Sequence, residues 1–365
     1  VDPKKCYSPV EYDGIFEGPM PIRQALAHSR NIPAVKTLYL AGIQESLNTA
    51  KAMGISSLKD PNRYGLTLVL GGGEVSLLEL TSAYGVFAND GVRNKYRSIL
   101  RVEDSNGKIL EEAVNDPSES IQPQIARQIT DILSDTKVRM SSLIPVGESL
   151  GGRPVAIKTG TTNDFRDVWI EGYTPNLVVG AWAGKNDNTP MDKKVAGLII
   201  APVWGAFMAE VNPTLPREYF KKPEPAPDNI KPTLKGKWEG GIAYSIDTVS
   251  GKRATQYTPK ELKKDIVFNS VHTILHWVSK DDPLGEPPTD PKKDSQYEYW
   301  EYGIQKWFTE WKKKNPGFTE TTNISIPTET DDVHIPENFP KVNIESPTKD
   351  MAVSINSRIN VSFNV

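Results

Sequence analysis

The segment Lys158-Thr159-Gly160-Thr161-Thr162 follows the apolar triplet Val155-Ala156-Ile157 and precedes a turn at Asn163-Asp164. In an extended strand Lys158 and Gly160 face one side, and Thr159 and Thr161 the other. Gly160 carries no side chain, so a ligand or a neighbouring backbone can approach closely there. A cation, hydroxyls and a bare backbone edge suit an anionic, peptide-like substrate. The tripeptide Lys-Thr-Gly alone arises by chance in roughly one chain in ten of this length, so an ordinary strand end competes with that reading. Ser29-Arg30-Asn31 sets a hydroxyl and an amide two residues apart. The same spacing recurs at Ser46/Asn48, Ser354/Asn356 and Ser362/Asn364, where a helix cap or a turn explains it equally well.

Other constellations carry less chemistry. His272 and His276 are four apart, as on a zinc-binding helix, but Thr273 replaces the glutamate of H-E-x-x-H and no third ligand is indicated. They read as structural histidines, and neither metal nor cofactor is expected. His28 adjoins Ser29, but adjacent residues on a helix do not face each other. Cys6 has no base beside it and reads as an unpaired thiol. Gly71-Gly72-Gly73 is not followed by Gly-Lys-Ser/Thr, so it is a tight turn rather than a phosphate loop. Trp300, Ile304, Trp307 and Trp311 fall on one helical face, which reads as packing surface before it reads as a sugar or partner site.

The elements that must position Ser29 and Lys158 lie in residues 1–212. Apolar Leu26, Val35 and Leu38 mark helical structure over Ile22 to Leu40, with Pro33 breaking any single helix. Ser76 and Glu79 form a capping-box pair before Leu77, Leu80, Tyr84 and Phe87. Ile125, Ile129 and Leu133 mark another helix. The period then changes to strands at Val155-Ala156-Ile157, Asp167 to Gly172 and Leu177 to Ala183, with a turn at Thr174-Pro175-Asn176. Val195 to Ala209 reads as a buried strand followed by a helix with Pro202 near its first turn. Helices followed by an antiparallel sheet predict an α+β fold with helices packed on the sheet.

Beyond 212 the prolines at 213, 216, 223, 225, 227 and 232 mark a stiff linker. Residues 213–335 read as a proline-rich accessory region. It would hold a hairpin over Ile242 to Thr255 turning near Ser250-Gly251, and a helix over Ile266 to Trp277. Residues 336–365 alternate as strands through Val342, Ile344, Met351, Val353, Ile355, Ile359, Val361 and Phe363, too few for a β-sandwich.

The 365 residues allow two or three domains. With 43 Lys plus Arg against 46 Asp plus Glu, a net charge of -3 argues against a nucleic-acid partner, which needs a basic stripe. A lone cysteine excludes an internal disulfide. No apolar run reaches the ~18 residues of a membrane span.

Gly18-Pro19-Met20-Pro21-Ile22-Arg23-Gln24-Ala25-Leu26-Ala27-His28-Ser29-Arg30-Asn31-Ile32-Pro33 resembles the second-motif region of class A (bifunctional) penicillin-binding proteins. Tyr64 to Ser76 and Ala83 to Gly91 look like their next blocks. Gly152-Arg153-Pro154 through Lys158-Thr159-Gly160-Thr161-Thr162 to Phe165 looks like their third motif, continued by Trp169, Gly172-Tyr173-Thr174-Pro175 and Val179 to Gly184. The resemblance covers about residues 7 to 210. It implies the S-x-x-K, S-x-N, K-T-G set on the helix-plus-sheet transpeptidase fold. In that family Ser29 would relay a proton, Asn31 would bind the substrate's backbone amide, and Lys158 would hold Ser29 and supply positive potential. Thr159 and Thr161 would bind the terminal carboxylate of a D-Ala-D-Ala stem peptide beside Gly160 and Thr162, with the Thr161 N–H as oxyanion donor. The implied chemistry is D,D-transpeptidation of peptidoglycan through a serine acyl-enzyme, with β-lactams as inhibitors.

The family's nucleophile motif should precede Ser29, and no S-x-x-K does. The matches Ser56/Lys59, Ser105/Lys108, Ser134/Lys137 and Ser346/Lys349 all fall downstream, in a loop, a hairpin turn, a helix end and the last segment. The expectation is a fragment without the nucleophile. Its parent would face the cell wall outside the plasma membrane, with an anchoring helix and a glycosyltransferase domain upstream. The tail after 335 would open an immunoglobulin-like appendage. The alternative is a non-catalytic cell-wall binding or scaffold relative; a β-lactam hydrolase or sensor ranks lower, because no deacylating base stands out.

Overall fold

The computed structural model describes residues 8–139, 152–191, 196–227, 230–236, 238, 243–267, 270–318, 320, 327–339, 343–346 and 362–364. The chain forms two units, Val1–Asp228 and Asn229–Val365.

The first unit begins with α1 (Ile22–Ala27), α2 (Asn31–Ala41), α3 (Ile43–Met53) and α4 (Leu77–Ala88). The break between α1 and α2 falls at His28–Arg30 and not at Pro33. Pro33 sits in the first turn of α2, where its missing N–H has no intrahelical acceptor to lose. Ser76 caps α4 as its sequence signals, accepting from the Glu79 N–H at 3.2 Å. The Glu79 carboxylate completes no capping box; it binds the Ser56 hydroxyl at 2.6 Å. Two hairpin-like pairs follow, β1 (Val92–Arg93) with β4 (Ser118–Glu119) and β2 (Arg101–Glu103) with β3 (Ile109–Glu112). The helix α5 (Pro123–Leu133) returns the chain to the core.

A three-stranded antiparallel sheet comes next, in the order β5 (Ala156–Thr161), β6 (Asp167–Thr174) and β7 (Leu177–Gly184). Its alternation divides the side chains into two layers. On one face Ala156 and Tyr173 pack with Leu133, Phe87 and Ile129 from α4 and α5. On the other, Ile157, Val168 and Ile170 pack against α7 (Ala201–Val211). Trp204 of α7 packs against Gly172 and donates its indole N–H to the Val179 carbonyl at 2.8 Å. A Cβ on Gly172 would stand 2.5 Å from that ring. The apolar stretch after Val195 is α6 (Ala196–Ile199), a single helical turn, and not the expected strand. A short apolar run carries too little period to separate the two. Pro202 does sit in the first turn of the following helix.

Residues 215–227, read from composition as linker, strap the first unit. Arg153 donates to the Leu215 and Pro216 carbonyls, Lys221 reaches Asp90 at 2.7 Å, and Gln124 exchanges two hydrogen bonds with Glu224. The unit therefore closes at Asp228 rather than at 212.

In the second unit β8 (Ala243–Asp247) turns at Ser250-Gly251, as expected, but its main partner is β9 (Lys263–Val267). The helix expected over Ile266 to Trp277 is only α8 (Ile274–Trp277), because Ile266 and Val267 belong to β9 and the Thr273 N–H is held by Glu301 at 2.9 Å. The long helix α9 (Tyr297–Lys314) buries Ile304 and Phe308 and packs Trp307 and Trp311 against Trp238. The aromatic face is thus packing surface. The strands β10 (Asn343–Ser346) and β11 (Ser362–Asn364) pair antiparallel; the strand positions at Met351–Ile355, Ile359 and Val361 lie outside the described residues, as does Cys6. No helix among the described residues is long and apolar enough to cross a membrane.

Gly172→Ala tests the layer contact. It is expected to lower stability by about 1–3 kcal/mol, because the Trp204 ring, only 1% exposed, would have to shift to admit the Cβ. Urea unfolding of the two chains measures it, and an unchanged midpoint would remove the argument.

Candidate active site

Lys158 is brought to Ser29 across 129 residues: its Nζ donates to Ser29 Oγ at 2.7 Å and to its neighbour's carbonyl, Thr159 O, at 2.7 Å. The serine sits in the tight link between α1 and α2 with φ +56, a left-handed conformation that a non-glycine residue adopts only when its surroundings impose it. Those surroundings are electrostatic. Arg30, only 4% exposed, donates to Asp13 at 2.7 Å and to the Ile15 carbonyl at 2.9 Å, and it forms an ion pair with Glu17 at 2.7 Å. Glu11 then receives the free N–H groups of Asn31 at 2.8 Å and Ile32 at 3.1 Å, the cap that Arg30 itself cannot provide. The segment 11–17 therefore fixes Arg30 and Asn31, the two residues that follow Ser29. Asn31 spends its amide N–H on the Val10 carbonyl at 3.0 Å, leaving its side-chain oxygen as an acceptor.

The sheet side of the site is the edge strand β5. Thr162 N–H bonds to the Asp167 carbonyl at 3.0 Å, so residues 162, 160 and 158 face β6. The N–H groups of Thr159 and Thr161 then point to the open edge. The Thr161 hydroxyl accepts from the Ala196 N–H at 3.1 Å and retains its own proton to donate. Thr162 turns instead to Asp167, its Oγ1 accepting from the Asp167 N–H at 2.8 Å. The register puts Lys158 and Gly160 on the face opposite Thr159 and Thr161, as the pleat predicts.

Burial pushes the Lys158 ammonium down to about 8. A cavity of about 30 Å³, room for about one water, lies between Ser29, Lys158, Leu133 and Arg139. Arg139, 8% exposed, was not singled out by the sequence; no short-range motif marks it. Nor was Glu171, which pairs with Lys158 in the register and shares its face. Its carboxyl leans over Gly180 toward α4 and accepts from Thr81 Oγ1 at 3.3 Å, while its other oxygen reaches no hydrogen-bond donor among the described residues. A carboxylate alternating with Trp169 and Tyr173 in a strand covered on both faces was the available signal.

Ser56 hydrogen-bonds Glu79, Ser105 lies in the turn between β2 and β3, Ser134 is the C-cap of α5, and Ser346 ends β10.

A family model described as the penicillin-binding protein transpeptidase domain matches residues 2–203. Penicillin-binding protein 1A of Aquifex aeolicus is 36% identical over 236 residues, covering 63% of this chain and 31% of that protein. The Rickettsia bellii protein of the same name is 29% identical over 285 residues, covering 72% and 35%. The chain thus spans about a third of the length of these curated relatives. Among solved structures, penicillin-binding protein 1A from Haemophilus influenzae superposes with a TM-score of 0.54 at 21% identity, over 74% of this chain and 43% of that one. PonA1 from Mycobacterium tuberculosis, in complex with penicillin V, gives 0.52 at 24% identity, over 60% and 63%. Both likenesses are of fold.

The buried carboxyl gives a pH test. Desolvation pushes Glu171 from its ordinary 4.5 up to about 8. Between those values the unfolded chain has released this proton and the folded chain keeps it, so this group's contribution to stability falls as pH rises and levels off above 8. Glu171→Gln is expected to melt above the native chain at pH 8, with the gap closing toward pH 4.5. Thermal melts across that range check it; a gap independent of pH would refute the assignment.

Proposed function

The chain belongs to the penicillin-binding protein transpeptidase family, and from that premise we propose that it is the S-x-N and K-T-G part of a serine D,D-transpeptidase of peptidoglycan synthesis. The observation that carries the reading is the 2.7 Å contact between Lys158 Nζ and Ser29 Oγ, made on the open edge of a strand.

In this reading Lys158 and Ser29 form a proton path. At neutral pH a lysine titrating near 8 has about a tenth of its population neutral, enough to accept a proton that Ser29 passes on. The charged remainder supplies the positive potential that a D-Ala-D-Ala carboxylate requires. Thr161 contributes its hydroxyl proton to that carboxylate, joined by Thr159, and its edge-facing N–H to the oxyanion; such donors are typically worth ~3–4 kcal/mol of barrier. Gly160 lets the peptide backbone approach, Thr162 holds the strand end through Asp167, and the free oxygen of Asn31 accepts the substrate amide N–H. The reaction is acyl transfer: a serine attacks the D-Ala-D-Ala amide, D-alanine leaves, and an amine on a neighbouring strand takes the acyl group. β-Lactams would enter by the same route. That serine is none of Ser56, Ser105, Ser134 and Ser346, and this reading has it supplied from outside residues 1–365. The protein would work on the outer side of the plasma membrane.

Fluorescent penicillin tests the reading. The 365-residue chain is expected to stay unlabelled, and the protein carrying its upstream coding sequence to be labelled. In that longer protein Ser29→Ala and Lys158→Ala are each expected to slow acylation by about 10²–10⁴-fold. An unlabelled full reading frame, or native labelling in Ser29→Ala, would overturn it.

A further inference from the structure

Three side chains of the second unit converge on a point that transpeptidation does not use. Asp247 ends β8, while Asp331 and His334 lie on a segment that Arg253 binds through its N–H to Glu329 O at 2.9 Å and its carbonyl to the Asp331 N–H at 2.7 Å. One ligand atom from each lies within 4.8 Å of the other two. His334 Nδ1 is 2.8 Å from Asp331 Oδ2 and 3.7 Å from Asp247 Oδ1. Both aspartate side chains are 0% exposed.

A buried anion needs compensation. Asp331 receives the Thr258 hydroxyl at 2.6 Å and the N–H groups of Val333 and His334 at 2.9 and 3.2 Å. Asp247 Oδ2 accepts the Ser250 N–H at 2.6 Å. Asp247 Oδ1, by contrast, is buried and reaches no hydrogen-bond donor among the described residues, and it lies 3.7 Å from the His334 ring nitrogen. The neighbouring cation, Lys252, is engaged elsewhere, by Glu329 at 2.9 Å and Asp332 at 2.6 Å.

We infer that Asp247, Asp331 and His334 hold a divalent transition-metal cation, Zn²⁺ or Mn²⁺ in type. Two carboxylates and a neutral imidazole leave a charge that such an ion balances, and the ion would satisfy the orphaned Asp247 oxygen. Ligand atoms about 2.0–2.1 Å from a tetrahedral ion stand about 3.3–3.4 Å apart. The two separations from His334, 2.8 and 3.7 Å, bracket that value, and the two aspartate oxygens lie within 4.8 Å of each other. The role is structural: the ion ties the end of β8 to segment 329–334. The rival arrangement is a protonated His334 clamped between the two carboxylates, with no metal.

The 365-residue chain, stripped with chelator and desalted, is titrated with ZnCl₂ and MnCl₂ by calorimetry and thermal melting. One ion per chain is expected, raising the melting temperature of the second unit by about 5 °C or more at saturation. Asp247→Asn and His334→Gln are each expected to weaken binding by about 100-fold or more, whereas a His272→Ala/His276→Ala double variant binds as the native chain does. Absence of heat and shift with both ions overturns the inference, as does native affinity in the two ligand variants. If those variants fail to fold, the nitrogen resonances of His334 in the native chain decide. A shift of one ring nitrogen on adding Zn²⁺ supports the site, and two protonated nitrogens at saturating Zn²⁺ reject it.

Discussion

An ammonium group taken out of water must be given oxygen atoms, and Lys158 finds them in two different layers. One is the carbonyl of its own strand; the other is the Ser29 hydroxyl, which belongs to the helices. The rest of the first unit serves that second contact. Ser29 must hold a left-handed backbone, and it does so because Arg30 is pinned by Asp13 and Glu17 while Glu11 caps α2. β5 must stay level beneath it, which the Trp204 ring on Gly172 secures from the other face.

The same face of the sheet carries two ionisable groups whose proton affinities move in opposite senses. Desolvation drives Lys158 down and Glu171 up, toward a common value near 8. Both are thereby biased toward neutrality. The carboxyl leans to α4 and the ammonium to Ser29, so the two do not form an ion pair between β5 and β6. Lys158 thus owes its perturbation to burial and not to a partner charge.

Much of this was legible in the sequence where the determinants are local. The strand period around Lys158, the Ser76 cap and the pleat that separates Lys158 from Thr159 each depend on neighbours a few residues away. Where the determinants are distant, reading failed. Pro33 looked like a helix breaker because proline is one inside a helix, and only the turn at Ser29 shows it to be in a first turn. Ala196–Ile199 is helical although its run is too short to show a period. Ile266 and Val267 were lost to a strand partner, β8, where they pair with Tyr244 and Ala243. Arg30, Glu171 and the trio Asp247, Asp331 and His334 are invisible to spacing rules, because their partners come from other segments.

The strap over residues 215–227 has a mechanical consequence. Its attachments run in series from Glu224 on Gln124, through Lys221 on Asp90 and Phe220 on Tyr173, to Pro216 on Arg153 and Asn176. A pull arriving along the chain from its downstream end would peel them one at a time. Each would yield before tension reached Arg153, five residues ahead of Lys158. The strap therefore shields the start of β5 from load applied downstream.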